Sequence, residues 1–396
     1  MKNLFLSTVL LFLFAGYCAA VEKTEKKPAS GIDVSALPKE IFSGLQGPFH
    51  VQGIAVDVER GYFYFSFTTT LLKTDLKGNL IGSVTGMTGH LGCLTLNPED
   101  GRIYGSLEYK NDPIGQGIRK QLNAGSKTGE TPSAFYIAVF DPERITRPGM
   151  DAEKDNVMTT VYLKEVVDDY YGETVNKGKK REHRFGCSGI DGVSFGPRFG
   201  APKGSKPYLH VAYGIYGDTD RSDNDYQVIL SYDTRKWERY EHPLSQVAPH
   251  KKGPAKPKHK YFVRTGNTSY GIQNLAYDPA TGNWLAAVYQ GKKEAFPNYS
   301  LFMIDGRKPA RKELLTGFDS PVMGKVLSLA KAGCHDEGSG VYGWNFNWGT
   351  TGLCPLGKGY FYISHNACTA DKKQQSSTVR LYKWTGTCKN PFSPVE

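Results

Sequence analysis

Two histidines occupy matching positions in the first two copies of a repeated sequence pattern. His50 and His90 each lie three residues before a short apolar segment, at 53–57 and 93–98. Two imidazoles at the same end of neighbouring repeats could serve as general base and general acid. They could also bind a metal ion together with His365. The structural alternative is that each ring only bonds a loop carbonyl.

Aligning the repeats gathers further polar and aromatic residues at the same end. Aromatic rings stack on sugar faces while amides and imidazoles bond hydroxyls, so this composition predicts a sugar-binding funnel. We expect Tyr109 and Tyr270 to assist catalysis and Arg184 to neutralise a substrate carboxylate. The predicted substrate-binding residues are Gln52, Glu108, Asp191, Gln273, Asn274, Trp344, Asn345 and His365. Glu108 and Asp191 could instead form a carboxylate pair for glycoside hydrolysis.

An acidic cluster offers a weaker candidate for a metal site. Asp218, Asp220, Asp223 and Asp225 are hard oxygen donors at a spacing that can hold Ca²⁺. The cluster lacks the glycine and terminal glutamate of the helix-loop-helix calcium loop, so a solvated acidic turn is the alternative. The cofactor is therefore unknown from sequence, with a divalent cation such as calcium as the candidate.

A sequence pattern of short strands recurs five times and predicts the fold. Each copy opens with an apolar strand that runs into a turn, near residues 53, 93, 192, 274 and 345. An aromatic and β-branched strand follows, and then a third strand that ends in a polar turn. Tandem units of this kind predict an all-β chain folded as a single β-propeller of five four-stranded blades.

The outer strands and the closure of the ring follow from the same pattern. The predicted fourth strands are 80–84, 157–164, 237–243 and 313–317. The fifth repeat has three strands before the chain ends, so we expect residues 39–45 to close the last blade. That closure leaves no open sheet edge. The long segments 111–133, 168–186, 214–226 and 247–268 are predicted to be loops, and hidden extra blades are the competing interpretation.

The N-terminus and the cysteines indicate export. Residues 1–20 have the basic start, apolar stretch and small-residue cleavage site of a secretory signal peptide. A linker over 21–36 and the propeller over 37–390 complete the predicted domain organisation. No segment is apolar for the length of a membrane span. Six cysteines remain after cleavage, and we expect two or three disulfide bonds, chiefly among the last four. The protein is therefore predicted to be secreted or periplasmic, and a monomer.

The phrase Gly53-Ile54-Ala55-Val56-Asp57, with the aromatic strand that follows it, resembles exported β-propellers. The funnel is loosely similar to that of propeller polysaccharide lyases and related glycosidases that act on uronate polymers. No motif of theirs matches residue by residue. The resemblance implies a carbohydrate-active enzyme, and the formal charge of +10 favours an acidic polysaccharide or oligosaccharide as partner. Nucleic acid suits the charge but not the export signal.

The predicted activity is degradation of a uronate-containing or sulfated glycan, by elimination or hydrolysis. His50 and His90 are the expected acid/base pair. One alternative is a non-catalytic glycan- or protein-binding propeller, a lectin or a scaffold. Another is a metal-dependent hydrolase of lactones or phosphoesters. Propellers serve all of these functions, so the fold alone does not choose among them.

Overall fold

The structure, a computed structural model, describes residues 33–123 and 132–396. The predicted signal peptide and the linker as far as residue 32 lie outside the described residues. The end of the linker forms a single 3₁₀ turn, Val34–Ala36. In the described residues, strands predominate and the two α-helices are short: α1 (Pro113–Gln121) and α2 (Lys164–Tyr170). Neither is long or apolar enough to cross a membrane.

Five sheets are arranged as the blades of a propeller. Blade 1 contains β2 (Val51–Asp57), β3 (Tyr62–Phe67), β4 (Thr70–Asp75), β5 (Leu80–Thr85) and β9 (Met150–Asp151). Blade 2 contains β6 (His90–Leu96), β7 (Ile103–Tyr109), β8 (Ala134–Phe140), β10 (Met158–Tyr162) and β16 (His242–Pro243). Blade 3 contains β13 (Cys187–Gly196), β14 (Tyr208–Ile215), β15 (Tyr226–Tyr232), β17 (His259–Arg264), β22 (Met323–Leu327) and β21 (Arg311–Leu314).

The remaining blades complete the ring. Blade 4 contains β18 (Ser269–Asp278), β19 (Asn283–Tyr289) and β20 (Leu301–Ile304). Blade 5 contains β25 (Leu353–Gly357), β26 (Tyr360–Cys368), β27 (Gln375–Trp384), β1 (Glu40–Phe42) and β28 (Phe392–Pro394). The inner strands touch in the order β2, β6, β13, β18, β25 and back to β2. The predicted five-bladed propeller is therefore confirmed.

The N-terminal strand closes the last blade, as predicted. In β1, Ile41 pairs with Val379 of β27, and its side chain is only 1% exposed. Phe42, its neighbour, points outward and is 49% exposed. The first strand of the described chain thus joins the last full strand, so this edge of blade 5 is covered.

Two of the four predicted outer strands are wrong. Residues 80–84 and 157–164 match β5 and β10, but Trp237–Arg239 is a 3₁₀ turn and β16 pairs with blade 2. The outer strand of blade 3 is β17, inside a segment that we predicted as loop. Residues 311–314 also join blade 3 rather than blade 4. The reason is that segment 233–258 leaves blade 3 and crosses blade 2 before it returns.

The fifth inner strand begins later than predicted. It is β25, from Leu353, whereas the predicted strand near residue 345 is irregular. Ahead of it, β23 (Cys334–Asp336) and β24 (Val341–Gly343) form a small hairpin. Another hairpin, β11 (Glu173–Asn176) with β12 (Lys179–Glu182), occupies the predicted loop 168–186.

One disulfide bond is present among the described cysteines, rather than two or three. Cys334 of the β23–β24 hairpin is bonded to Cys388 near the C-terminus. Cys93, Cys187, Cys354 and Cys368 are free thiols. Cys93 and Cys187 are buried in the core between blades 2 and 3. Burial raises the pKa of Cys93 to about 11, which fits an inert packed thiol.

Candidate functional site

Four inner strands are irregular at the same end, close to their first residues. The pairing of each with its neighbour shifts between Val51 and Gly53, Leu91 and Leu94, Ile190 and Val193, and Ile272 and Asn274. Such bulges re-aim side chains and are frequent beside active sites. They place Gln52, Asp191 and Gln273 at one end of the channel, where His90 also begins its strand.

His90 lies between two carboxylates. It stands directly opposite Glu108 on the neighbouring strand. Its Nδ1 is 3.7 Å from Glu108 Oε1 and 3.7 Å from Asp191 Oδ1. Nδ1 is buried and has no hydrogen-bond partner among the described residues. Nδ1 of His90 therefore lies near two carboxylates without a hydrogen bond to either.

Glu108 is bound on both of its oxygens. Oε1 is 2.6 Å from Lys110 Nζ, and Oε2 accepts a hydrogen bond from the Ile190 backbone amide at 3.1 Å. Lys110 Nζ also donates to the Ser188 carbonyl and lies 3.5 Å from Asp112. Gly189, with φ near +125°, is required here, because a Cβ would come within 2.1 Å of Glu108 Oε2.

The ionisation of this group follows from burial and pairing. Burial lowers the pKa of His90 to about 3, and the charges of Lys110 and His50 add to that lowering. Burial raises the pKa of Asp191 well above its usual range, and the charge of Glu108 raises it further. Burial opposes the charge of Lys110, but the carboxylates of Glu108 and Asp112 outweigh it and raise its pKa. Burial therefore favours the neutral imidazole of His90 and the protonated form of Asp191.

His50 forms the rim of the same site from blade 1. Gln52 Nε2 lies 3.0 Å from His50 Nε2 and donates to Thr68 Oγ1 at 3.1 Å. Thr68 Oγ1 in turn donates to the His50 carbonyl. The His50 ring is accessible to solvent, while desolvation by the surrounding atoms lowers its pKa. Because Nε2 accepts from Gln52, Nδ1 carries the proton of the neutral ring.

Blade 4 supplies the opposite wall. Gln273 Nε2 donates to Asp191 Oδ2 at 3.0 Å and to the Tyr270 carbonyl at 3.0 Å. Tyr270 is 46% exposed and has a φ of 65°, which is strained for a tyrosine. Its ring meets Tyr289 edge to face, with centroids 6.4 Å apart. Two tyrosines therefore stand at the mouth, with Asp191 below them.

Tyr109 does not join this group, whereas Lys110 does. Tyr109 Oη donates to Gln246 Oε1, and its ring packs against Tyr136. Side chains alternate across a strand, so Glu108 and residue 110 share a face and Tyr109 takes the other. The structure therefore places the Tyr109 side chain away from the histidine group, which argues against its expected catalytic role. The same alternation would have identified Lys110 from the sequence.

Asn274 and Arg184 have structural partners instead of a free funnel position. Asn274 is buried, and its Nδ2 donates to the carbonyls of Gln52 and Thr350. It therefore ties three blades together. Arg184 lies 3.4 Å from Asp169 of α2. Among the described residues the structure records no contact between Arg184 and the histidine group.

The predicted residues of blade 5 also lie elsewhere. Trp344 is fully buried, and its Nε1 donates to the Thr387 carbonyl. Asn345 accepts from Gln290 in a surface contact. His365 stacks on Trp348 with centroids 4.0 Å apart and bonds Tyr382. They were misplaced because the fifth inner strand starts at Leu353.

No metal site is formed by the part of the chain that the structure describes. Asp223 is paired with Arg221 through two hydrogen bonds of 2.8 Å, and Asp225 is paired with Lys293. Asp218 caps the Asp220 amide. Three of the four predicted calcium ligands are thus occupied, and they point to different partners. His50, His90 and His365 likewise form no metal-binding group among the described residues.

Comparison with known proteins gives only distant structural likenesses. No family model matches the chain, and no curated protein matches it. The chain is similar to the Cellvibrio cellulosa α-L-arabinanase complexed with arabinohexaose, at 11% identity over 85% of this chain and 93% of that one, with a TM-score of 0.39. It is also similar to the PQQ domain of pyranose dehydrogenase from Coprinopsis cinerea, at 11% identity over 83% and 81%, with a TM-score of 0.33. Likenesses at this level carry no argument about activity.

Proposed function

We propose that the protein is a carbohydrate-active enzyme that hydrolyses a glycan in the central funnel. The observation that supports this most directly is His90 beside Asp191, with Nδ1 unbonded and buried. Buried groups with strongly shifted pKa values cluster at functional sites. Tyr270 and Tyr289 at the mouth offer aromatic faces for a sugar ring.

In this proposal Asp191 and His90 act together as the general acid. Asp191 passes its proton to His90 Nδ1 while His90 Nε2–H is donated to the leaving glycosidic oxygen. His50, at the rim, takes a proton from the attacking water on Nε2, once the Gln52 amide has left that nitrogen. The proton total of the site is then unchanged, and each step uses a group near its required ionisation state. Gln273 keeps Asp191 oriented through its 3.0 Å hydrogen bond.

Two other mechanisms have less support. A nucleophilic role for Glu108 would require a free oxygen, but Lys110 and the Ile190 amide bind both. Elimination at a uronate requires a cation for the substrate carboxylate. Lys110 is already bound to Glu108, and Arg184 pairs with Asp169. Hydrolysis is therefore the preferred reaction.

The test is incubation of the purified protein with neutral, uronate-containing and sulfated polysaccharides. New reducing ends without absorbance near ~235 nm are the expected result for hydrolysis. Rising absorbance would show unsaturated uronate and hence elimination. Silence in both readouts across the panel would refute the enzyme and favour the alternative, a binding propeller. The expected loss is ~10²–10⁴-fold in kcat for His90→Ala, the typical size of general acid–base catalysis.

A matched control separates catalysis from folding. His335 is exposed and stacks on Tyr342 in the β23–β24 hairpin. His335→Ala should leave turnover unchanged. Asp191→Asn keeps the shape but removes the transferable proton, so it should lower kcat and flatten the alkaline side of the pH profile, where a general acid loses its proton. Full activity in a His50→Ala, His90→Ala double variant would remove both histidines from the mechanism.

The proposal includes the setting of the enzyme. The disulfide bond fits an oxidising compartment, secreted or periplasmic, and the predicted signal peptide would direct the chain there. We place cleavage after residue 20, followed by the linker 21–36 and the propeller 37–390. A monomer is expected, and sedimentation of the mature chain tests it.

A further inference from the structure

A second pocket lies at the other end of blade 3. The strand β13 runs away from the funnel, β14 returns to it, and β15 runs away again. Residues just after β15 are therefore opposite the histidine site. The turn Trp237–Arg239 and the returning segment 254–258 enclose a pocket of about 230 Å³ there. This is smaller than the roughly 300–1,000 Å³ of pockets for drug-sized ligands, so it suits a single small group.

Four exposed cations line this pocket: Lys236, Arg239, Lys256 and Lys258. Among the described residues none of them has an ion-pair partner within 4.0 Å. At the pocket edge, by contrast, Arg235 is paired with Asp233. A cluster of unpaired like charges repels itself, and an anion would relieve that repulsion.

The acidic groups nearby offset only part of this charge, through the electrostatic interaction of Asp233 with Lys258. Asp233 belongs to the pocket lining, but both of its oxygens bond Arg235. Glu238 is exposed on the same 3₁₀ turn. Beyond the pocket, the β13–β14 loop adds Arg198, which lies over the Tyr208 ring. The charge of this end of blade 3 is therefore strongly positive.

Aromatic groups form the other part of the pocket. Tyr232 and Trp237 are buried beneath it, with ring centroids 5.5 Å apart. Tyr240 is half-buried, and Arg239 lies over its ring at 4.6 Å from the centroid. A cation beside a partly exposed aromatic face suits a charged sugar, which offers both an anion and a ring face.

We propose that this pocket binds an anionic polysaccharide, with one sulfated or uronate sugar seated among the four cations. Its occupant would hold the protein on the polymer from the side opposite the funnel. Binding in this pocket does not require turnover in the funnel. If the proposed function holds, the polymer bound here is also the substrate, so the pocket indicates that the substrate is anionic. A nucleic acid is the competing occupant of a basic surface, but a concave pocket with an aromatic face favours a single charged ring over an extended phosphate backbone.

The experiment compares two variants with equal loss of charge. One replaces the four pocket cations with Gln. The control replaces four other exposed lysines with Gln, namely Lys39, Lys77, Lys331 and Lys389. Binding of labelled dextran sulfate, polygalacturonate, neutral dextran and a DNA duplex is measured at low ionic strength, with circular dichroism to verify folding.

We expect dextran sulfate or polygalacturonate to bind the wild type, and neutral dextran not to bind. The pocket variant should bind about tenfold more weakly or worse, and added salt should weaken wild-type binding. The control variant should keep wild-type affinity. Equal losses in both variants would mean that net charge alone acts, and would overturn the site. Equal or tighter binding of a DNA duplex through the same four residues would overturn the partner.

The two proposals fail separately. His90→Ala should bind dextran sulfate as the wild type does, because the pocket lies at the opposite end of blade 3. If the protein binds the polymer but degrades none, the pocket proposal stands and the hydrolase proposal fails. If the protein hydrolyses a glycan but the pocket variant binds normally, the hydrolase proposal stands and the pocket proposal fails.

Discussion

His210 provides a quantitative test of the packing between blades 3 and 4. Its side chain is fully buried, with Trp284 at 4.4 Å and Phe199 at 5.3 Å between ring centroids. Neither ring nitrogen has a side-chain or backbone partner of good geometry among the described residues. Burial lowers the pKa of His210 to about 3. The imidazole is therefore neutral in the folded protein, and protonated in the unfolded chain below its usual pKa of ~6.5.

The sign and size of the effect follow from linkage. Below pH ~6.5 the His210 imidazole is protonated in the unfolded chain but stays neutral in the folded protein. The free energy of unfolding therefore decreases until the pH reaches about 3. At pH ~5 the difference is 1.5 pK units, or about 2 kcal/mol at 1.36 kcal/mol per unit. At pH ~7.5 it is close to zero.

The assay is urea unfolding of the wild type and of His210→Phe at these two pH values. Phe fills a similar space among Trp284 and Phe199, and any packing cost is the same at both pH values. We expect the stability of the variant relative to the wild type to rise by about 2 kcal/mol on going from pH ~7.5 to ~5. The exposed His335→Phe serves as the control. If the difference in stability between variant and wild type is the same at both pH values, then the pKa of His210 is not lowered in the folded protein, and the reasoning is refuted.

Two further predictions concern the buried ion pair and the closure of the ring. Lys110→Met leaves the Glu108 carboxylate buried without its cation, so stability should fall by about 3–5 kcal/mol in chemical unfolding, and adding Glu108→Gln should recover most of the loss. Persistence of the full loss in the double variant would contradict this account. Ile41→Ala removes the buried side chain of the closing strand and should cost about 2–5 kcal/mol, whereas Phe42→Ala should cost less than about 0.5 kcal/mol. Equal thermal shifts for both would mean that β1 does not close the ring.

The repeated pattern predicted the ring because each blade is a local structure. The inner, second and third strands of a blade follow one another with short turns, so sequence order and spatial order agree. The same order fails for outer strands. The segment 233–258 leaves blade 3, and Glu241 within it makes a bidentate ion pair with Arg102 of blade 2. Which free edge an outer strand covers depends on such distant contacts, and strand periodicity does not contain them.

The site was predictable where repeats could be aligned and strand alternation applied. Alignment placed His50, His90 and Asp191 at the same end of neighbouring repeats, and in the structure His90 lies 3.7 Å from Asp191. It failed for Trp344, because no local feature marks the true start of the fifth inner strand at Leu353. Strand alternation from Glu108 places Lys110 on the same face and Tyr109 on the other, which already argues against Tyr109 as a catalytic helper.

The buried pair of Lys110 and Glu108 also explains why the site can hold a proton. Burial raises the pKa of Asp191 well above its usual range, and the charge of Glu108, which is bound to Lys110, raises it further, so the protonated form of Asp191 is favoured. His90 then faces an acid that can supply a proton and an anion that stabilises an imidazolium. If the pair were a purely structural element, the double variant Lys110→Met, Glu108→Gln would keep the acid–base behaviour of the site. We therefore expect that double variant to fold, and to lose the pH dependence that Asp191 and His90 confer.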